Sequence, residues 1–258
     1  MRVIGCQLDI IWEHKGANHA RVTELLSAAA AERGDLVVLP EMFATGFSMN
    51  VAGITDSQTG ETYGFLAETA ERFGVWLLGG LVTSAAGGKG RNEALLFSPQ
   101  GREAGRYAKI HPYTPAGEGE HYVGGKQVVV LACGEFRLAP FVCYDLRFPE
   151  VFRTAALRGA TLLCVIASWP ASRGDHWSTL LRARAIENQA YVVGVNRCGA
   201  DPHVAYAGGS MVVGPRGEVL AEAGSEEGVV AAAVDLAALE AYRRAFPSLA
   251  DTRWGSLS

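Results

Sequence analysis

Three side chains in this sequence stand where α/β folds expose reactive groups. Cys143 follows the apolar run Phe136–Val142 and precedes Pro149, a residue tolerated in the first turn of a helix. A cysteine at the end of a strand, just before a turn into a helix, can meet backbone N–H groups that favour a thiolate. Glu41 follows the apolar strand Leu36–Leu39 and its stop at Pro40, with Phe43, Gly46 and Phe47 beyond it. A carboxylate so placed could act as a general base. Lys109 ends a strand in Tyr107-Ala108-Lys109-Ile110-His111, where an ammonium could stabilise a developing oxyanion. Each has an ordinary alternative: a core cysteine, a solvated loop glutamate, a surface lysine. Glu118, in Gly117-Glu118-Gly119-Glu120, is equally ambiguous by itself.

The other four cysteines fit the ordinary reading better. Cys6 and Cys164 lie inside strands, Cys133 at a hairpin, and Cys198 just after a strand. Five cysteines, an odd number with no C-x-x-C, argue against a disulfide framework and for a reducing, cytoplasmic setting. Six histidines without H-x-x-x-H or H-E-x-x-H spacing indicate no metal site. The net charge of −4 and pI near 5.9 argue against a nucleic-acid partner or a basic membrane-surface protein. No apolar run reaches the roughly 18 residues of a membrane span, and the N-terminus is interrupted too early for a signal-peptide core.

The elements that would position these residues alternate along the chain. Strands are expected at Val3–Leu8, Asp35–Leu39, Val75–Val82, Glu93–Ser98 and Arg106–Ile110, with helices at Asn18–Arg33 and Gly60–Phe73. His111–Gly125, rich in Pro and Gly, reads as a long loop of the functional or disordered kind. A hairpin of Gln127–Ala132 with Phe136–Val142, a helix Pro149–Arg158, a strand Thr161–Ala167, a helix His176–Gln189 and a strand Tyr191–Asn196 follow. The meander Ser210–Val213, Val219–Ala223 and Val229–Val234 leads to a helix Leu236–Phe246. No repeat and no low-complexity linker interrupts this pattern, so a single α/β domain over 1–258 is expected, with a short tail from about residue 247.

Taken together, the motifs resemble the nitrilase, or carbon–nitrogen hydrolase, superfamily over nearly the whole chain. Leu39-Pro40-Glu41-Met42-Phe43 is similar to its glutamate motif, and Tyr107-Ala108-Lys109-Ile110-His111 to its lysine motif, with Ala where Arg is common. Val142-Cys143-Tyr144-Asp145-Leu146-Arg147-Phe148-Pro149-Glu150 is similar to its cysteine motif. Asn92 before a strand and Arg184-Ala185-Ile186-Glu187-Asn188-Gln189 extend the match. Ala167-Ser168-Trp169-Pro170-Ala171, the stretch around His176-Trp177, and Val195-Asn196-Arg197 with Gly199 and Asp201 resemble the bacterial omega-amidase branch, which deamidates 2-oxo dicarboxylic acid monoamides.

The resemblance implies a four-layer α-β-β-α sandwich, a homodimer paired through helices, and no cofactor. It implies Glu41 as base, Lys109 and the Tyr144 backbone N–H as oxyanion donors, and Cys143 as a nucleophile forming a thioester. The spacing Glu118-x-x-x-Tyr122-x-x-Gly125 matches a second family glutamate, with Glu120 two residues too close to Gly125. A substrate carboxylate would need a cation, and Arg173 and Arg147 are the nearest candidates by sequence. Phe43, Phe47, Tyr144 and Trp169 are expected to give an otherwise apolar pocket. The alternative activities are an N-carbamoyl amidase or a true nitrilase on the same site and, from another class, a non-catalytic scaffold.

Overall fold

The computed structural model describes residues 1–253; the end of the expected tail, 254–258, lies outside the described residues. In chain order the elements are β1 (Arg2–Gln7), α1 (Lys15–Ala28), β2 (Leu36–Val38), α2 (Val51–Ile54), α3 (Glu61–Phe73), β3 (Trp76–Ser84), β4 (Gly90–Phe97) and β5 (Glu103–Ala108). They continue as α4 (Glu118–His121), β6 (Leu131–Cys133), β7 (Phe136–Val142), α5 (Pro149–Leu157), β8 (Leu162–Ala167), α6 (Gly174–Asn188) and β9 (Tyr191–Asn196). The last are β10 (Cys198–Ala200), β11 (Ala205–Ala207), β12 (Met211–Val213), β13 (Val219–Glu222), β14 (Gly228–Ala233) and α7 (Leu236–Ala245).

Two six-stranded sheets run in the orders β14-β1-β2-β3-β4-β5 and β13-β12-β9-β8-β7-β6. Read from β14, the first pairs antiparallel, parallel, parallel, antiparallel, antiparallel. Read from β6, the second repeats that series. The fold thus contains a structural repeat that no recurrence of residues in the sequence reveals.

The layering follows from period-two alternation in strands buried on both faces. In the first sheet Val3, Leu36, Val38, Leu78, Ala94 and Leu96 belong to one core, shared with Leu138, Val142, Leu163 and Val195 of the second sheet. Their neighbours Ile4, Val37, Leu77, Leu95 and Phe97 pack instead with Val22 and Leu26 of α1 and Leu66 and Ala70 of α3. On the far side α6 packs on β9 and against α5. The result is helices, sheet, sheet, helices: an α/β sandwich of four layers. Among the described residues no helix is long and apolar enough to cross a membrane.

Several expected boundaries move. The first helix begins at Lys15, not Asn18, because the His14 ring accepts the Ala17 N–H at 3.2 Å. Asn18 is inside the helix, tied to Ile11 and to the Ala44 carbonyl at 2.8 Å. That helix ends at Ala28, not Arg33, where Ala30 takes a positive φ of 47°. The expected strand Gln127–Ala132 pairs only over Leu131–Cys133. The loop His111–Gly125 is ordered, with a 3-10 turn at Thr114–Ala116 followed by α4. The small hairpin β10–β11 was not expected. Within the expected tail, Ser248–Asp251 forms a 3-10 turn.

Candidate active site

Glu41 and Lys109 leave one sheet, and Cys143 leaves the other, at a shared cavity. Glu41 lies three residues past β2, Lys109 follows β5 directly, and Cys143 begins a 3-10 turn, Cys143–Arg147, directly after β7. All three line a cavity of about 320 Å³ together with Glu41's neighbour Phe47, Tyr144 and Trp169.

The backbone is strained where it delivers two of these groups. Cys143 has φ 46° and Met42, next to Glu41, has φ 44°, a region that non-glycine residues enter at a cost. The turn after Cys143 is fixed by Asp145. One carboxylate oxygen accepts the Val142 N–H at 3.1 Å and the Tyr107 hydroxyl at 2.8 Å, and the other accepts the His111 N–H at 3.0 Å. The first N–H groups of such a turn have no partner within it, so that of Tyr144 is available beside the sulfur. Gly80 makes room for Glu41: a Cβ there would meet the Glu41 Cα at 2.8 Å.

Glu41, Lys109 and Glu118 form a buried cluster. Lys109 Nζ donates to Glu41 Oε1 at 3.0 Å and to Glu118 Oε2 and Oε1 at 2.8 and 3.1 Å. Asn92 Nδ2 donates to the same two carboxylates, at 2.7 Å to Glu41 and 3.1 Å to Glu118. Glu41 Oε2 accepts the Ser168 N–H at 2.9 Å. Phe47 covers the ammonium, its ring centre 5.1 Å from Nζ. Two carboxylates against one ammonium leave an excess negative charge.

That field acts on Cys143. Burial pushes the Cys143 thiol well above its ordinary pKa, the Glu41 charge adds to this, and Lys109 opposes it. That direction favours the protonated thiol in the free protein. Its Sγ points toward the Ser168 carbonyl at 3.8 Å. Burial works against the Lys109 charge, but Glu41 and Glu118 outweigh it and raise the ammonium above its usual pKa. Lys109 thus stays cationic.

The predicted site residues come together with one exception and one reassignment. Glu41, Lys109, Cys143, Tyr144, Phe47, Trp169, Arg147 and Arg173 all line the cavity. Glu118 stands behind Lys109, fully buried, while Glu120 is exposed. Phe43 does not reach the cavity; it packs with Leu66 and, at 5.9 Å between ring centres, with His19. The Arg147 side chain meets two rings. Its guanidinium lies 4.7 Å over the Trp169 ring and Nη1 meets His176 Nδ1 at 3.2 Å. Among the described residues the Arg173 guanidinium makes no hydrogen bond or ion pair, while the Arg173 carbonyl accepts the Trp169 indole N–H at 2.8 Å.

Sequence reasoning assigned no role to Asn92 or to the backbone of Ser168. It also missed Trp12, His203 and Tyr206 on the cavity wall, and gave Asp201, which the family resemblance had included, no role. Asp201 holds the β10–β11 hairpin in shape by accepting the His203 and Val204 N–H groups at 2.7 Å and the Tyr206 hydroxyl at 2.6 Å. The buried Arg197 lies 4.4 Å from the Tyr206 ring centre. The run Val204-Ala205-Tyr206-Ala207-Gly208-Gly209 carried the only local signal, alternation ended by two glycines.

The family model described as carbon-nitrogen hydrolase matches residues 2–244. The chain is 40% identical to the omega-amidase YafV of Yersinia enterocolitica over 95% of this chain and 94% of that one. It is 32% identical to the 2-oxoglutaramate amidase of Bacillus subtilis (strain 168) over 97% of each. Among solved structures it is similar to XC1258 from Xanthomonas campestris, a CN-hydrolase superfamily protein with an arsenic adduct in its active site. That similarity has a TM-score of 0.92 and 33% identity and covers 98% of this chain and 97% of that one.

Proposed function

The chain belongs to the carbon–nitrogen hydrolase family, and on that premise we propose that it releases ammonia from small 2-oxo dicarboxylic acid monoamides at a Cys143–Glu41–Lys109 site. It is an omega-amidase-like, cysteine-dependent amidohydrolase. The observation that carries the residue assignment is the convergence of the three side chains, from two sheets, on one cavity wall.

In this reading Glu41 takes the thiol proton and the sulfur attacks the amide carbon. Oε1 already accepts from Lys109 and Asn92, and Oε2 only from Ser168, so Oε2 is the oxygen with room for that proton. The carbonyl oxygen becomes negative and is met by Lys109 and the Tyr144 N–H. Lys109 has all three protons on carboxylates, so it serves the oxyanion by giving up its longest bond, to Glu118 Oε1. Glu41 returns the proton to the departing nitrogen. Water then hydrolyses the thioester with Glu41 again as base. Glu118 and Asn92 hold Lys109 and Glu41 in register.

The substrate class rests on the far side of the cavity. Its aromatic walls suit a small carbon chain, and Arg173 and Arg147 offer guanidinium groups to a terminal carboxylate. Arg173 is the better candidate because Arg147 is engaged with Trp169 and His176. A cytosolic homodimer completes the reading; the five unpaired cysteines support the compartment.

An ammonia-release screen tests the proposal. Rates on 2-oxoglutaramate and 2-oxosuccinamate should exceed those on glutamine, asparagine, N-carbamoyl amino acids and simple nitriles. Preference for a carbamoyl amino acid or a nitrile would overturn the substrate class, and no turnover of any of them would overturn the enzyme assignment.

A further inference from the structure

Ser168, the first residue past β8, serves both reacting groups through its backbone. Its N–H donates to Glu41 Oε2 at 2.9 Å, and its carbonyl receives the Cys143 thiol at 3.8 Å. The next residue is pinned by Asn196, whose Oδ1 accepts the Trp169 N–H at 2.7 Å and whose Nδ2 donates to the Trp169 carbonyl at 3.1 Å. The backbone at Ser168 is therefore fixed beside the reaction centre.

Its side chain takes no part in that framework. Eight buried polar side-chain atoms have no hydrogen-bond partner among the described residues, and Ser168 Oγ is the one whose residue lines the cavity. Other buried hydroxyls nearby are satisfied: Ser210 Oγ donates to the Asn196 carbonyl at 3.2 Å and accepts the Asn196 N–H at 3.0 Å. An unpaired buried hydroxyl is unfavourable, and alanine would fill the same space without that cost. A hydroxyl left unpaired on the residue whose backbone meets both Glu41 and Cys143 is matched to a group that arrives with the reaction.

We propose that Ser168 Oγ holds first the nitrogen that leaves and then the water that replaces it. The proposal rests on the thioester reading above. In acylation the sulfur–carbon bond forms, the thiol proton passes through Glu41 to the amide nitrogen, and the carbon–nitrogen bond breaks to release ammonia. A hydrogen of that nitrogen points to Ser168 Oγ while Glu41 delivers its proton. In deacylation water enters the vacated place. Glu41 accepts one of its protons, the carbon–oxygen bond forms, the carbon–sulfur bond breaks, and the proton returns from Glu41 to the sulfur. A hydroxyl suits both partners because it rotates between accepting from N–H and donating to a water oxygen.

The test is Ser168→Ala, studied by rapid quench with enzyme in excess over 2-oxoglutaramate. Ammonia reports acylation, the dicarboxylate product reports deacylation, and the thermal midpoint is measured in parallel. Both rate constants should fall about three- to tenfold, the scale of one hydrogen bond, with the midpoint unchanged or raised. Wild-type values for both rate constants in Ser168→Ala overturn the proposal. So does a lowered midpoint alongside slower rates, which would mark the hydroxyl as a packing group. If wild-type enzyme itself forms no covalent intermediate, the thioester reading fails and takes this proposal with it. If the intermediate forms and Ser168→Ala leaves its kinetics untouched, only the Ser168 role fails.

Discussion

Lys109 Nζ lies 3.0 Å from Glu41 Oε1, with the lysine side chain 2% exposed and the glutamate fully buried. The same ammonium lies 2.8 Å from the equally buried Glu118. Glu41 is thus held by a cation that it shares with a second carboxylate, and both carboxylates are fully buried.

Lys109→Met should therefore unfold more easily as well as lose activity. Removing one partner of a buried ion pair costs about 3–5 kcal/mol, because the remaining charge is left uncompensated. Urea denaturation of the variant should show a lower midpoint with an unchanged slope. A midpoint equal to that of the wild type would mean that one of the two carboxylates is already neutral and that the cluster needs no cation.

Cys143→Ala should abolish ammonia release and leave the fold intact. The change removes one sulfur at a residue that is 8% exposed and faces a cavity. Iodoacetamide should modify Cys143 ahead of Cys6, Cys133, Cys164 and Cys198, none of which lines the cavity. Peptide mapping after partial labelling reads this out. Substantial turnover by Cys143→Ala would refute the covalent mechanism.

Arg173→Met should weaken turnover of 2-oxoglutaramate by about one to two orders of magnitude and hardly affect a neutral amide of similar length. That is the scale of one charge-assisted hydrogen bond, about 1.5–3 kcal/mol. Arg147→Met is the comparison. Because Arg147 lies over Trp169 and meets His176, its loss should affect both substrates alike. Equal losses on both substrates with Arg173→Met would assign Arg173 to the architecture of the cavity.

Stability should fall as pH rises above about 8.5, the ordinary thiol value. Burial holds Cys6 and Cys133 up at about 12 and raises Cys143 and Cys164 as well. Between about 8.5 and 12 the unfolded chain loses thiol protons that the native chain keeps, so the native state binds more protons and is destabilised by alkali. Each fully shifted thiol contributes about 1.4 kcal/mol per pH unit in that window. Denaturation midpoints of wild type and Cys6→Ala from pH 8 to 11 check this. An identical pH slope in the two proteins would show that Cys6 is not held protonated.

Much of this was legible along the chain. Strand ends expected at Leu39, Ile110 and Val142 follow from local signals, Pro40, a loop rich in Pro and Gly, and a turn, and the observed ends at Val38, Ala108 and Val142 lie within two residues of them. The three candidate residues stand just beyond those ends, but each has an ordinary alternative there, and only the motifs taken together, through their family resemblance, pointed to this chemistry. The order of strands and helices, and with it the α/β class, is legible locally: periodicity is a property of neighbours in sequence.

Side-chain direction outside regular elements was decided only by the tertiary structure. Phe43 and Phe47 flank the same turn, yet one packs into the layer of α1 and α3 and the other covers Lys109. Positive φ at Gly46 turns the chain between them, and no pattern of apolar residues encodes that turn. The same holds for Asn92, which meets Glu41 across 51 positions of sequence, and for Ser168, which meets it across 127. Their roles come from the order of strands within one sheet, where β4 lies two strands from β2, and from two sheets packed face to face. The sequence alone specified which groups could react, because their type and their place at strand ends are local. Only the packing of the two sheets decided which of them meet in one cavity, because hydrogen bonds and burial depend on atoms that are distant along the chain.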